Sequence, residues 1–280
     1  MASGERVWLI TGCSTGFGRE LTRQLLSRGQ RVVATARNPA ALDEFASHPG
    51  AVVALLDVII PEQIKAAVAL AEAQFGGIDV LVNNAGYGYL AALEEGEDED
   101  VRAMFETNVF CLVNMTKAVL PGMRDRRSGH IVNISSMGGL IGFPGIGYYN
   151  ATKFAVEGLS EALAKEVEPL GIRVTIIEPG PFRTDWAGRS LKTPSLPIDD
   201  YATTAVARRD AIRGYSGTQP GDPVRGAAAI IAAVESEKAP LHLLLGKPAY
   251  DLFSDKLRAF ADELATWRDV TLSADFPAQE

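Results

Sequence analysis

Two cysteines and three histidines in 280 residues leave little from which to build a disulfide framework or a metal centre. Cys13 lies in a glycine-rich turn and Cys111 in a helix-like segment, while His48, His130 and His242 are scattered, so the sequence predicts free thiols and no required metal. Positive charge is also short. Twenty-seven Lys and Arg against 35 Asp and Glu give a net charge of −8, which argues against a nucleic-acid surface. No apolar run approaches membrane-spanning length without a charge or a turn residue, and the polar residues ahead of Val7 are too few for a secretory signal. Repeats and low-complexity linkers are absent as well. The expectation is a soluble, cytoplasmic protein with no nucleic-acid or membrane partner.

What is present is an alternation. Apolar strand candidates at 6–11, 31–36, 52–56, 80–83, 130–135, 173–178 and 241–245 are separated by helical patterns, and 47% hydrophobic residues suffice for a full core. Such alternation predicts right-handed crossovers and an α/β fold: a Rossmann-like, doubly wound parallel sheet of about seven strands with helices on both faces. Residues 1–280 read as a single dinucleotide-binding catalytic domain. Within it, an irregular segment at about 180–222, rich in Pro and Gly, reads as a substrate lid, with a disordered surface loop as the alternative. A tail at 247–280 contains a helix-like run, Tyr250 to Trp267.

Two local patterns carry chemistry. Thr11-Gly12-Cys13-Ser14-Thr15-Gly16-Phe17-Gly18 follows an apolar strand candidate and opens a helix. Gly12 permits the tight turn, Gly16 lets backbone approach a pyrophosphate, Gly18 allows close packing, and the helix N-terminus is left to bind the anion. Further on, Tyr149 and Lys153 stand four apart on one helix face, after Ser136 at the end of an apolar run. A phenol ordinarily titrates near ~10, and a close cation moves it toward working pH. Ser136 would hold a substrate oxygen. Tyr148 points to another face.

These residues resemble the short-chain dehydrogenase/reductase superfamily, in the single-domain branch with T-G-x-x-x-G-x-G and Y-x-x-x-K. The resemblance runs from about Val7 to Gly246 and includes, in order, Asn83-Asn84-Ala85-Gly86, Asn108, Ser136, Tyr149, Lys153 and Pro179-Gly180-Pro181-Phe182-Arg183-Thr184. It implies that Tyr149 is the general acid or base and that Ser136 positions the carbonyl. It also implies that Lys153 lowers the tyrosine pKa and holds the nicotinamide ribose, and that Asn108 orders a proton-relay water. The cofactor set it implies is Gly12, Ser14, Thr15, Gly16, Phe17, Gly18, Asp57 and Val58 beside the adenine, Asn84, Ala85, Gly86, Tyr149, Lys153, Pro179, Gly180, Phe182, and Thr184 at the carboxamide. NAD-dependent relatives carry an acid at the end of the second strand. Here that position is Ala36, followed by Arg37, whose guanidinium suits a ribose phosphate, so NADP(H) is expected, with NAD possible. Relatives pair through the helices bearing Asn108 and Tyr149, which implies a homodimer, with the tail covering the surface used for tetramers.

One stretch departs from the family. Ile59-Ile60 precedes Pro61 where relatives carry a threonine and an acid, so the helix lacks its N-cap. The acidic run Glu94 to Asp100 is read as favourable charge at a helix N-terminus. Tyr87, Tyr89, Phe143, Phe182 and Trp186 are candidates to line an apolar cleft, with ordinary core packing as the alternative. The reading that follows is an NADPH-dependent carbonyl reductase acting on a hydrophobic ketone or aldehyde, reversible as an alcohol dehydrogenase. An NAD-dependent hydroxysteroid or retinol-type dehydrogenase and a non-catalytic nucleotide sensor are the alternatives.

Overall fold

Seven short apolar runs form the centre of the molecule, the inner ones buried on both faces. The structure, a computed structural model, describes residues 4–187, 191–196 and 198–276. Strands β1 (Val7–Ile10), β2 (Arg31–Ala36), β3 (Ala51–Leu55), β4 (Val80–Asn83), β5 (Gly129–Ile134), β6 (Ile172–Pro179) and β7 (His242–Leu245) make one sheet. All its pairings are parallel, in the order β3-β2-β1-β4-β5-β6-β7. The continuous apolar character of β1 and β4 reflects cover on both sides. Along β1, Trp8 and Ile10 face one core with helices Gly16–Ser27 and Pro223–Glu235, and Leu9 faces the other with helices Pro61–Phe75 and Cys111–Arg126. Leu21 and Leu25 are fully buried in the first core, each contributing about 2 kcal/mol.

Chain order runs outward in opposite directions from β1 and β4, and the crevice beyond their carboxyl ends is where such sheets receive ligands. The glycine turn leaves β1 and Asn84-Ala85-Gly86 leaves β4 into that crevice.

The helix start at Pro61 has no side-chain cap. In its place the Gln63 side chain accepts from the Asp57 amide at 2.6 Å, and the Asp57 carboxylate accepts from the Ile59 amide at 3.3 Å. Ile59 and Ile60 are themselves exposed, and nothing in the structure explains their identity.

The segment bearing Asn108 is not one regular helix. Helix Asp98–Phe105 passes through a π turn, Glu106–Phe110, into Cys111–Arg126. Such turns add a residue to the ladder and often re-aim a side chain at a functional site.

The irregular reading of 180–222 is corrected. Its described residues include the 3₁₀ turn Asp185–Ala187, the short strand Leu191–Lys192 paired with Gly88–Tyr89, and the helix Ala207–Gly214; residues 188–190 and 197 lie outside the described ones. The acidic run does more than face a helix dipole. Glu97 takes the amide of Ser195 at 2.9 Å, Glu95 takes that of Ile198 at 2.8 Å, Glu94 accepts from the Tyr201 hydroxyl at 2.7 Å, and Asp100 pairs with Lys192 at 2.6 Å. Glu95 also sits 3.8 Å from the buried Arg209. The carboxylates therefore fasten the segment to the body. Among the described residues, no helix is long and apolar enough to cross a membrane.

Candidate active site

Backbone geometry accounts for the glycine turn. Gly12 and Gly16 have φ of +72° and +57°, in the region that penalises a Cβ. A Cβ on Gly18 would lie 2.4 Å from the Gly12 carbonyl oxygen, so the helix packs onto the turn only because that position is glycine. Thr11 fastens this turn to the loop after β4. Its hydroxyl accepts from the amides of Asn84 and Ala85, both at 2.9 Å, and the Asn84 side chain donates to the carbonyls of Thr11 and Gly12 at 2.8 and 3.0 Å. Thr15 makes no side-chain cap and the first turn of Gly16–Ser27 carries no acid, which leaves its N–H groups and positive dipole end for an anion. Ser14 and Thr15 are half-buried beside it. The Phe17 ring points into the core, so any contact it offers a ligand comes from its backbone. Burial pushes the Cys13 thiol up to about 11 and that of Cys111 up to about 12, so neither is a poised nucleophile.

At the end of β2, Ala36 is buried and Arg37 exposed, with no hydrogen bond or ion pair to another described residue. Asp57 and Val58 follow the neighbouring strand β3.

Three consecutive residues at the end of β5 meet one face of helix Gly147–Val167. Ile134 O accepts from Lys153 Nζ at 2.8 Å, the Ser135 hydroxyl donates to Glu157, and Ser136 stands beside the Tyr149 phenol, whose pKa it lowers. Ser136 also accepts from the Gly138 amide at 3.0 Å, which orients its side chain. Lys153 Nζ lies 5.8 Å from the centre of the Tyr149 ring, and both residues are buried. Tyr148 is turned away, donating to the Leu93 carbonyl at 2.6 Å.

Burial pushes the Tyr149 phenol up to about 12, offset in part by Ser136. Burial likewise pulls the Lys153 amine down to about 8, against the field of Glu157. Desolvation is thus the largest influence on the phenol, and the lowering one comes from Ser136.

Asn108 in the π turn holds the loop after β4. Its side chain donates to Tyr87 O at 2.8 Å and Thr152 Oγ1 at 3.2 Å and accepts from Tyr87 N at 3.0 Å. A Cβ on Gly86 would approach Asn108 Oδ1 to 3.1 Å and Lys153 Nζ to 3.9 Å, so this glycine keeps the space between them open.

The aromatic candidates divide. Trp186 packs on Tyr149 with ring centres 5.1 Å apart, and half-buried Tyr87 and Phe143 belong to the same apolar cluster. Tyr89 is fully buried, its hydroxyl accepting from the Glu97 amide at 3.1 Å. Phe182 turns the other way, onto Phe17 at 5.0 Å, and takes the alternative of packing against the core. Thr184 lies against the glycine turn, 3.3 Å from where a Gly16 Cβ would sit. Pro179 ends β6, and the Gly180 amide donates to Leu245 O at 2.9 Å. A groove of about 690 Å³ opens beside Phe182, Gly226 and Gly246, and neither Ser136, Tyr149 nor Lys153 lines it.

Sequence reading missed the acidic group behind Lys153. Glu157, one helical turn on, and Glu178 near the end of β6 are buried, and burial pushes their carboxyls up to about 7 and about 8. His242, read as isolated, reaches both, with Nδ1 2.7 Å from Glu178 and 3.7 Å from Glu157. The i, i+4 spacing of Lys153 and Glu157 was the available signal; the partners on β6 and β7 had none.

The model of the short chain dehydrogenase family matches residues 6–194. A short-chain dehydrogenase structure from Streptomyces avermitilis superposes with a TM-score of 0.91 at 42% identity, covering 98% of this chain and 100% of that one. Retinol dehydrogenase 8 from Homo sapiens is 40% identical over 259 residues, 86% of this chain and 81% of its own. The closed form of a serine dehydrogenase complexed with NADP+ superposes with a TM-score of 0.73 at 30% identity, covering 85% of this chain and 94% of that one.

Proposed function

This chain belongs to the short chain dehydrogenase family of oxidoreductases, and from that premise we propose that it is an NADPH-dependent carbonyl reductase acting on a hydrophobic ketone or aldehyde, reversible as an alcohol dehydrogenase. The observation that carries this reading is the meeting of Ser136, Tyr149 and Lys153 at the carboxyl end of β5, beside the crevice that the glycine turn enters. The residues fit a dinucleotide: an uncapped helix N-terminus and close-approach glycines for the pyrophosphate, Arg37 for a ribose phosphate, and Asp57 and Val58 for the adenine. When bound, the nicotinamide supplies hydride to the carbonyl carbon. Ser136 holds the substrate oxygen, and Tyr149, kept neutral by burial, gives that oxygen its proton. Lys153 keeps a cation beside the ribose position, and Asn108 fixes the loop that shapes the opening between them. We read residues 1–280 as one catalytic domain in a cytoplasmic homodimer, with Phe110, Phe154 and Leu159 exposed on the helices proposed to pair.

The similarity to retinol dehydrogenase 8 supports a second reading, a retinol- or hydroxysteroid-type dehydrogenase. Ketones, aldehydes, steroids and retinoids assayed with NADPH and NADH by nicotinamide absorbance separate the two. Activity on none of them would move the reading to a nucleotide sensor.

Cofactor choice is testable at two positions. A charge-assisted fork to a phosphate contributes about 1.5–3 kcal/mol, roughly 10- to 150-fold in affinity. Ala36→Asp with Arg37→Ile is therefore expected to reverse an NADPH preference toward NADH. An unchanged ratio of kcat/KM for the two cofactors places phosphate recognition elsewhere.

Trp186 is expected to set the size of the acceptor, because its ring covers Tyr149. Trp186→Ala should raise KM for bulky ketones more than for small ones, and NADPH should protect residues 182–221 from proteolysis. An unaltered ranking of substrates assigns the ring to packing alone.

A further inference from the structure

The helix Lys247–Thr266 leaves the body of the protein after its first turns. Ala249 is its one buried residue, Phe253 is half-buried, and every residue from Asp255 to Trp267 is exposed. At 1.5 Å per residue the helix is about 30 Å long, far longer than its docked root. An isolated helix of this length is marginal in water, and its stability ordinarily comes from packing an apolar face. That face is present. Tyr250, Phe253, Leu257, Phe260, Leu264 and Trp267 recur at spacings of 3, 4, 3, 4 and 3. Five of them, Phe253 apart, are 53–67% exposed.

Spacing of this kind marks the a and d positions of a heptad, a seam narrower than the stripe by which a helix packs on a globular surface. Leu252 and Leu272 fall outside it. The opposite side carries Asp251, Asp255, Arg258, Asp262 and Asp269, an acidic balance unlike the Lys- and Arg-rich polar face of a helix that lies on a membrane. The flanking charges choose an orientation. In a parallel pair of two such helices, Glu263 at g meets Arg268 at e of the other copy, twice by symmetry, and no like charges face each other. An antiparallel pair sets Lys247 against Arg268, and the Lys256 that would meet Glu263 there is already held by the Leu140 carbonyl. Parallel pairing needs both bodies at the same end. Both arms then leave from the face that carries Phe154, an exposed residue of helix Gly147–Val167, where Lys256 donates to Leu140 O and lies 5.2 Å from the Phe154 ring.

We propose that this helix is an assembly arm whose partner is the same helix of a second copy, paired in parallel along the Leu257–Phe260–Leu264–Trp267 seam. The arm extends the face that carries Phe154, which gives the tail a pairing role in place of a covering one. The proposal is independent of turnover, since the seam residues from Leu257 to Trp267 are exposed beyond the root, where Ala249 packs against Gly180.

Sedimentation velocity of the full chain tests it. Phe260→Glu with Leu264→Glu, both at exposed positions, should drop the assembly by one association step while turnover per chain is kept. Glu263→Arg should weaken association several-fold, and adding Arg268→Glu should restore it, because the pair is rebuilt in reverse. Phe260→Cys should form an interchain disulfide at the symmetric position on mild oxidation, with native Cys13 and Cys111 buried and silent. An unchanged assembly in the double Glu variant, or a monomeric wild type, overturns the proposal. So does binding of the wild type, but not the double Glu variant, to phosphatidylcholine vesicles, which would assign the seam to lipid.

Discussion

Turnover in Tyr149→Phe is expected to fall by a factor of ~100 to 10000, the range removed with a positioned general acid, while cofactor affinity stays close to wild type. The ring keeps its packing on Trp186, so the change deletes a proton rather than a wall. Protonation sets a direction as well. A phenol pushed up to about 12 remains protonated throughout the neutral range, which suits giving a proton to a carbonyl oxygen and opposes taking one from an alcohol. Reduction should accordingly show no tyrosine-dependent loss between pH 6 and 8, whereas alcohol oxidation should rise with pH as the phenolate fraction grows. Both measurements use nicotinamide absorbance with saturating cofactor. Near-normal turnover in Tyr149→Phe would remove the residue from the reaction, and matching pH profiles for the two directions would show that some other group carries the proton.

What could be read in advance was local in sequence. All seven strands were anticipated within a residue or so of their ends because each is a short apolar run bounded by turn residues, and the glycine turn was legible because its spacing encodes a backbone shape. Tyr149 and Lys153 share a helix face by simple periodicity. Most of the misses depended on residues brought together from far apart. Glu94, Glu95 and Glu97 were read as dipole partners because nothing local announces that Ser195, Ile198 and Tyr201 return to them. The π turn at Glu106–Phe110 leaves no compositional mark, yet it sets where Asn108 points. Phe182 sits among cofactor-motif residues in sequence but was drawn to Phe17 by the space above Gly226, where a Cβ would clash with both rings. Glu157, Glu178 and His242 come from three elements that only the sheet order makes neighbours.

Lys153→Met should separate activity from stability. A charge-assisted hydrogen bond contributes about 1.5–3 kcal/mol, so losing this cation should lower kcat/KM by roughly 10- to 150-fold through weaker cofactor binding beside Gly86. The alkaline side of the profile should change with it. Burial lowers the folded pKa of this amine from 10.5 to about 8, so its charge is present below pH 8 and lost above it. Wild-type cofactor affinity should fall as pH rises through about 8, and the variant should be flat there. For stability the sign is reversed. A cation whose folded pKa lies below its unfolded one costs the folded state about 3 kcal/mol under neutral conditions, a cost that fades between pH 8 and 10.5. Methionine removes that cost but strips the Ile134 carbonyl of its donor, a loss of about 1–3 kcal/mol. The two terms nearly cancel, so thermal unfolding at pH 7 should shift by only a few degrees while turnover collapses. A large fall in melting temperature accompanied by a proportionate fall in activity would identify Lys153 as a structural post for the end of β5 rather than a charge held for the reaction.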